Sequence, residues 1–420
     1  MKILLLWTSL LFAADTLSLQ ESIAQALKNK YAIRLASLDS SQADNNRMLI
    51  PGSFLPKING VLGGIKTYGV SSSSPKEKWN DIQGSSYIEL DYILFDGLRM
   101  FYAADLTEGL AQAKELKAKD QVEMAIIEVV VQYLTMLAIQ KKIEILELEI
   151  KQAQVLVDKS LVKKGLGLHT SRNHIQQEIL LNQSLSEKVI LKNQHLQAWN
   201  SLQLSMGQKD KQIVTLQEDL PSWGVVLSES EWLQKVQTNN SQINLLTLME
   251  INRRKEIGIQ RASYFPWLHF NGKMGRSWTK YDLKNSKTDA QIGLSLRWNI
   301  FNSFQNSTGL KNLKIEQRKS FLLKKQQSSS LDMQILAMYQ EREGFMQRFN
   351  YEQKALAFAK QNYELSDTLY RQGSLPFYEW KEAFNLWKKA ELRCFEVKLG
   401  RFVLNMEMVQ LAGILQKATM

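Results

Sequence analysis

The run Ile292-Gly293-Leu294-Ser295-Leu296-Arg297-Trp298-Asn299-Ile300 places an aliphatic or aromatic residue at every second position. Successive side chains of an extended chain point to opposite faces, so this spacing predicts a strand with one apolar and one polar face over 292–300. The same alternation runs from 267 to 278, where Leu268, Phe270, Met274 and Trp278 interleave with His269, Asn271, Lys273 and Ser277. From 87 to 94, Ile88, Leu90, Tyr92 and Leu94 interleave with Glu89, Asp91 and Ile93. A fourth strand, about 57–70, is expected to be glycine-rich and poorly alternating. Polar hairpin loops, Ser71 to Gly84 and Tyr281 to Thr288, separate the two members of each pair.

Alternation suits a soluble sandwich with its apolar face inward, and equally a membrane barrel with its apolar face toward lipid. A signal-like N-terminus, large aromatics on the apolar face and charges along the polar face favour the barrel. Its lipid-facing residues are then Ile88, Leu90, Leu268, Phe270, Ile292, Leu294, Leu296 and Trp298. Its lumen takes Glu89, Asp91, His269, Asn271, Lys273 and Arg297. Small barrels begin near eight strands, so four per chain close only in an oligomer.

Residues 1–14 read as a secretory signal peptide: Lys2, an apolar stretch through Phe12, then Ala13-Ala14. That stretch is too short to span a bilayer as a helix, and no second apolar stretch of 18 residues is expected. A membrane crossing must therefore be made by strands.

The 6 prolines leave 76–220 and 267–375 empty, and 110–164 lacks glycine too. Such gaps permit long helices, since proline removes a donor and clashes with the preceding turn. Helices are expected over 98–164 and 304–372, each on the order of 100 Å at 1.5 Å per residue. Val122, Ile126, Val129, Tyr133, Met136, Ile143 and Ile150 follow four-three spacing, interrupted by Gln140 and Glu147, which is a coiled-coil seam. Shorter return helices follow at 169–206 and 376–415, and helices near 20–50 and 230–262 complete the length.

Shifting the chain by about 210 residues exposes a repeat. Ser53-Phe54-Leu55-Pro56 falls on Ser263-Tyr264-Phe265-Pro266, and Leu94-Phe95-Asp96 on Ile300-Phe301-Asn302. The first structural repeat is expected over 15–225, with strands about 57–70 and 86–95. The second is expected over 226–420, with strands about 267–278 and 290–301.

The charge balance, 53 basic against 42 acidic residues, is +11. The basic residues are spread along helices among Glu and Gln, so no nucleic-acid face is expected. Cys394 is the single cysteine and forms no disulfide or CxxC site. His169 and His174, five apart, share no helical face, so no metal site is expected. Gly165-Leu166-Gly167 lacks the third glycine of a dinucleotide loop, and neither a P-loop nor GxSxG occurs. No catalytic residues and no cofactors are assigned.

The whole resembles the TolC-like family of outer-membrane efflux and secretion channels. The residues carrying the resemblance are Leu17 to Asn29, Phe54-Leu55-Pro56-Lys57-Ile58, Tyr264-Phe265-Pro266, Tyr92-Ile93-Leu94-Phe95-Asp96-Gly97 and Trp298-Asn299-Ile300-Phe301-Asn302. Gly165 and Gly373 stand at the long-helix turns. The resemblance implies a mainly α chain whose homotrimer closes a 12-stranded β-barrel. That barrel is continuous with an α-helical barrel of antiparallel coiled coils. It also implies residence in the outer membrane of a Gram-negative bacterium, with a large periplasmic portion. The implied role is that of a passive exit duct for a tripartite efflux pump or type I secretion system. Partners are a periplasmic adaptor, a proton- or ATP-driven inner-membrane pump and outer-membrane lipid; no enzyme activity is implied. The competing reading is a periplasmic coiled-coil adaptor, against which the repeat and the strands between helices count.

By the same resemblance, Lys163, Lys164, Gly165 and Leu166 in the first turn form the adaptor-docking tip with Tyr370, Arg371, Gly373 and Ser374 in the second. Glu379 and Glu382 match a tip constriction, where threefold repetition gives six carboxylates favouring cations. Ser171 and Leu375 stand where some relatives hold charged or polar tip links, a departure from that pattern.

Overall fold

The computed structural model describes residues 16–70, 78–165, 171–209, 213–221, 227–279 and 287–415. The expected signal peptide, the tips of both β-hairpins, His169 and Leu166 lie outside the described residues. The first half of the chain forms β1 (Thr16–Leu17), α1 (Leu19–Asn29), α2 (Tyr31–Gly52), β2 (Lys57–Val70), β3 (Lys78–Phe95), α3 (Arg99–Gly165) and α4 (Ser171–Met206). The second forms β4 (Thr215–Leu216), α5 (Glu229–Asn239), α6 (Ser241–Ala262), β5 (Trp267–Thr279), β6 (Lys287–Arg297), α7 (Gln305–Arg371) and α8 (Phe377–Leu411). Two compact units result, and both draw on the two halves of the chain. One comprises the described residues up to Ser37, Lys117–Ile243 and those from Gln327 onward; the other is Leu38–Leu116 with Asn244–Gln326.

The first unit is helical around one apolar core. Its short helices start with matched capping boxes, 210 residues apart. Ser18 Oγ accepts from Glu21 N while Ser18 N donates to Glu21 Oε2 at 2.9 Å, and Ser228 and Glu231 repeat the exchange. Each box satisfies two backbone donors that a helix start leaves free. Ile126, Val129, Tyr133 and Met136 are at most 2 % exposed and meet Leu19, Leu202, Trp232 and Met406 in the core.

Beyond Met136 the expected seam drifts. Leu137, Ile145, Leu146, Ala153 and Leu156 are buried, whereas Ile143 and Ile150 are only half-buried and Glu147 is exposed. A straight helix turns 3.6 residues per turn, so a strict seven-residue seam slides around it unless the helix supercoils. Gln140 is no interruption either: its Oε1 accepts from Leu216 N at 3.1 Å and its Nε2 donates to Leu216 O. It thereby holds β4, which pairs in parallel with β1. The Tyr133 hydroxyl, 2.9 Å from Leu17 O and 2.8 Å from Gln217 O, grips the same pair from below. Burial pushes that phenol up to about 12.

One expectation fails here. Within α3 an 18-residue stretch is apolar enough by composition to cross a membrane, and half of it is buried inside the protein. It supplies the core residues just named, so it is a core helix.

The second unit carries a four-stranded antiparallel sheet in the order β2-β3-β5-β6. β3 starts at Lys78, not after Gly84, because Val70↔Lys78 through Gly64↔Gly84 continue the ladder into the expected loop. β6 likewise starts at Lys287, inside the expected second loop. It ends at Arg297, which pairs with the first residue of β5, Trp267, so the chain beyond has no backbone partner. Trp298 and Ile300 therefore lie outside the strand, and the Trp298 indole donates to Tyr264 O at 3.1 Å. Asp96 Oδ2 accepts from Met100 N at 3.0 Å and Asn302 Oδ1 from Asn306 N at 3.3 Å, which starts the two long helices just after the sheet.

Candidate functional site

Cross-strand partners share a face, so the register sorts the sheet residues. On one face lie Ile58 and Leu62 of β2, Ile88, Leu90 and Tyr92 of β3, Leu268, Phe270 and Met274 of β5, and Ile292, Leu294 and Leu296 of β6. Ile58, Leu62, Ile88, Met274, Ile292, Leu294 and Leu296 are exposed there, Ile292 at 82 %. A contiguous apolar face of this kind marks contact with lipid or another protein. The seven expected lipid-facing residues that lie in strands all share it; Trp298, beyond the strand, does not.

The other face holds Glu89, Asp91, His269, Asn271, Lys273 and Arg297 together. Glu89 stands directly opposite Lys273, whose ammonium lies 3.4 Å from the centre of the Tyr87 ring. The glycine-rich β2 alternates only at its start, with Lys57 and Asn59 on this face and Ile58 and Gly60 on the other. Further along, Val61 and Ile65 fall on this face and Lys66 on the apolar one, in line with the poor alternation expected of it.

The helical turns form the second region. α3 ends at Gly165 and α4 starts at Ser171; Lys163 and Lys164 lie in the last turn of α3. The second turn is complete. Ser374 N donates to Leu369 O at 2.9 Å and Gly373 N to Tyr370 O at 3.0 Å, a Schellman closure of α7. Gly373 takes φ +80°, which glycine adopts without the Cβ clash other residues meet. Arg371 and Ser374 are exposed, and Arg371 Nε is 2.8 Å from Asp367 Oδ2. Pro376 is the N-cap of α8 with φ −65°, so the helix begins one residue after the 376 expected for it.

Tyr370 is half-buried rather than free. It opens an aromatic stack in which Trp380 lies 5.6 Å away, Phe384 5.8 Å beyond Trp380, and Trp387 5.6 Å beyond Phe384. Tyr363 stacks on Trp387 at 5.3 Å. The signal was present in the sequence: Phe377, Trp380, Phe384 and Trp387 follow three-four-three spacing on one helical face.

Two neutral hydrogen bonds tie this stack to the other hairpin. Gln177 Nε2 of α4 donates to the Tyr370 hydroxyl at 3.2 Å, and Gln152 Nε2 of α3 donates to that of Tyr363. Burial raises the ionisation of both phenols above the ordinary tyrosine value. Further up, Lys388 of α8 meets Glu149 of α3 at 2.6 Å, and Ser184 of α4 donates to the same carboxylate at 3.1 Å. Apart from Tyr370, none of these residues was anticipated, because polar partners far apart in the chain leave no local pattern. Leu375 lines the groove between the hairpins with Leu148, Val155 and Trp380. Glu379 and Glu382 are exposed on α8, whereas Trp380 and Ala383 beside them are buried, and among the described residues neither carboxylate has an ion-pair partner.

One unit thus carries long paired helices and the other an antiparallel sheet with an exposed apolar face. Residues 232–402 match the family model described as Outer membrane efflux protein. No curated protein matches the sequence. Among solved structures, the fold is similar to the CmeC outer membrane channel of Campylobacter jejuni, with TM-score 0.81 and 16 % identity over 94 % of this chain and 86 % of that one. It is similar to the outer membrane protein VceC of Vibrio cholerae, with TM-score 0.77 and 13 % identity over 94 % and 96 %. The open-state MtrE outer membrane channel of Neisseria gonorrhoeae gives TM-score 0.77 and 17 % identity over 94 % and 89 %. Residues 232–402 thus match the outer membrane efflux protein model, and the chain's fold is similar to that of outer-membrane channels, in keeping with the resemblance read from its motifs. The outer membrane is the location that this family's description states.

Proposed function

We propose that three copies of this chain assemble into the passive exit duct of a tripartite efflux pump or type I secretion system. The observation that carries this reading is the sheet. Within the chain β2 and β6 are each paired on one side only, and an open edge of 14 or 11 residues invites pairing with another chain. Joining β6 of one copy to β2 of the next through three copies gives 3 × 4 = 12 strands and removes every edge. All strands meet the roughly 9–11 residues a tilted strand needs to cross a bilayer. The apolar face then meets lipid and the face with Glu89, Asp91, His269, Asn271, Lys273 and Arg297 lines the lumen.

In this reading the two structural repeats supply the helices of a periplasmic tunnel. The turns with Lys163, Lys164, Gly165, Leu166, Tyr370, Arg371, Gly373 and Ser374 dock a periplasmic adaptor that connects an inner-membrane pump. Glu379 and Glu382 from three chains narrow the tip. The bonds Gln152–Tyr363 and Gln177–Tyr370 tie the hairpins in the resting state, in place of links through Ser171 and Leu375. Outer-membrane fractions run on unboiled denaturing gels test the assembly. A heat-modifiable trimer is expected; recovery only as a soluble periplasmic monomer sinks the channel reading and favours an adaptor.

A further inference from the structure

Between α6 and α7, within the unit that carries the sheet, lies a cavity of about 660 Å³. Arg254, Arg261, Lys314 and Arg318 line it against a single carboxylate, Glu250. Glu250 is engaged by Arg254 at 2.7 Å and approached by Lys324 at 3.8 Å. Among the described residues Arg261, Lys314 and Arg318 have no carboxylate partner, and all three are exposed. Gathering three unneutralised cations around one concavity raises their mutual repulsion, which an anion seated among them relieves. Ile257 and Phe321 give the cavity an apolar wall, and the Arg318 guanidinium lies 5.1 Å from the centre of the Phe321 ring.

Its position selects the class of anion. Arg261 is the penultimate residue of α6, and the chain then enters β5 through Tyr264 and Phe265. On the other side β6 leads to α7 through Trp298, Phe301 and Phe304. All five rings are exposed. Aromatic rings gathered where strands leave the membrane are the mark of the interface, where headgroups lie. Gln260 Nε2 donates to Asn306 O at 3.4 Å, so the end of α6 stands level with the first turn of α7. The cations therefore begin within about one helical turn of the aromatic band.

We propose that this groove binds the phosphate monoanion of a phospholipid headgroup in the periplasmic leaflet, with the acyl chains directed toward the aromatic band. Arg261 and Arg318 offer fork-shaped donor sets to phosphate oxygens, and Lys314 adds a point charge. The site assumes the membrane reading of the sheet, but its assay needs neither barrel closure nor export. The protein is extracted in a neutral detergent and titrated with phosphatidylglycerol, bound lipid being counted by native mass spectrometry. The triple variant Arg261→Gln, Lys314→Gln, Arg318→Gln is expected to raise the lipid dissociation constant at least tenfold while keeping the lipid-free thermal midpoint. The charge-retaining pair Arg261→Lys, Arg318→Lys keeps the point charges but loses the forks, and is expected to bind more weakly than the parent and more tightly than the triple variant. Equal lipid binding by the triple variant and the parent overturns the site. Inorganic phosphate at tenfold excess is expected to leave the lipid bound, and complete displacement overturns the lipid assignment in favour of a free anion.

Discussion

Replacing Tyr363 and Tyr370 by Phe removes two hydroxyl oxygens and leaves the aromatic stack in place. Each ring keeps its neighbours, Trp387 at 5.3 Å for Tyr363 and Trp380 at 5.6 Å for Tyr370. What is lost, among the described residues, is the hydroxyl acceptor of each partner amide. Gln177 is 1 % exposed, and its Oε1, like that of Gln152, is already buried without a partner. A buried polar group that loses its partner costs about 1–3 kcal/mol, so about 1.5 for each amide is a central figure. In an opened tip both amides reach water, so the cost falls on the closed state alone. Two amides give about 3 kcal/mol per chain, or roughly a hundredfold in the closed-to-open ratio.

The assay is single-channel conductance in planar bilayers at neutral pH, where the double variant is expected to spend far more time conducting. Unchanged conductance refutes the tie. The same argument sets the pH response. A buried tyrosine whose ionisation is raised contributes fully below its ordinary value of 10.0 and loses that contribution only above it. The closed state of the parent should therefore be constant from pH 5 to 9, and a leak appearing as pH falls through that window contradicts a lock made of neutral bonds.

Three further outcomes follow from the helical unit. Lys388→Met leaves Glu149 buried without its cation and should cost about 3–5 kcal/mol, read as a lowered unfolding temperature by circular dichroism; adding Glu149→Gln should recover most of it. Glu379→Gln with Glu382→Gln should reduce cation selectivity in bilayers with insertion unchanged, and equal selectivity removes the carboxylate ring. Gly373→Val forces a branched side chain onto φ +80°, costing at least about 1–2 kcal/mol. It should abolish export while the barrel still inserts, and persisting export refutes docking at this turn.

The strands were readable because their period is short and their ladder enforces it: Ile88, Leu90, Phe270, Leu294 and their neighbours sort by parity alone. The strand ends were not, because pairing rather than composition decides them. Lys78 to Gly84 looks like a polar loop until it is set against Gly64 to Val70. Trp298 looks like strand until β5 is seen to begin opposite Arg297. The long helices followed from missing prolines; that Asp96 and Asn302 cap their first turns with a carboxylate and an amide oxygen is seen only in the structure. At the turns, Gly373 announced its own backbone. The stack of Phe377, Trp380, Phe384 and Trp387 was legible in its spacing, but the amides that meet Tyr363 and Tyr370 were not. Gln152 and Gln177 are ordinary helix-surface residues until two hairpins bring them against those rings.

The central claim is that β2 of one copy pairs with β6 of the next. With Cys394 replaced by Ser, a cysteine at Ile58 of β2 and a second at successive positions from Ile292 to Leu296 of β6 can be oxidised in intact outer membranes. The account predicts covalent dimers and trimers on non-reducing gels for at least one β6 position, ending at the trimer and collapsing on reduction. Monomer alone at every position, in membranes that contain the folded protein, contradicts it.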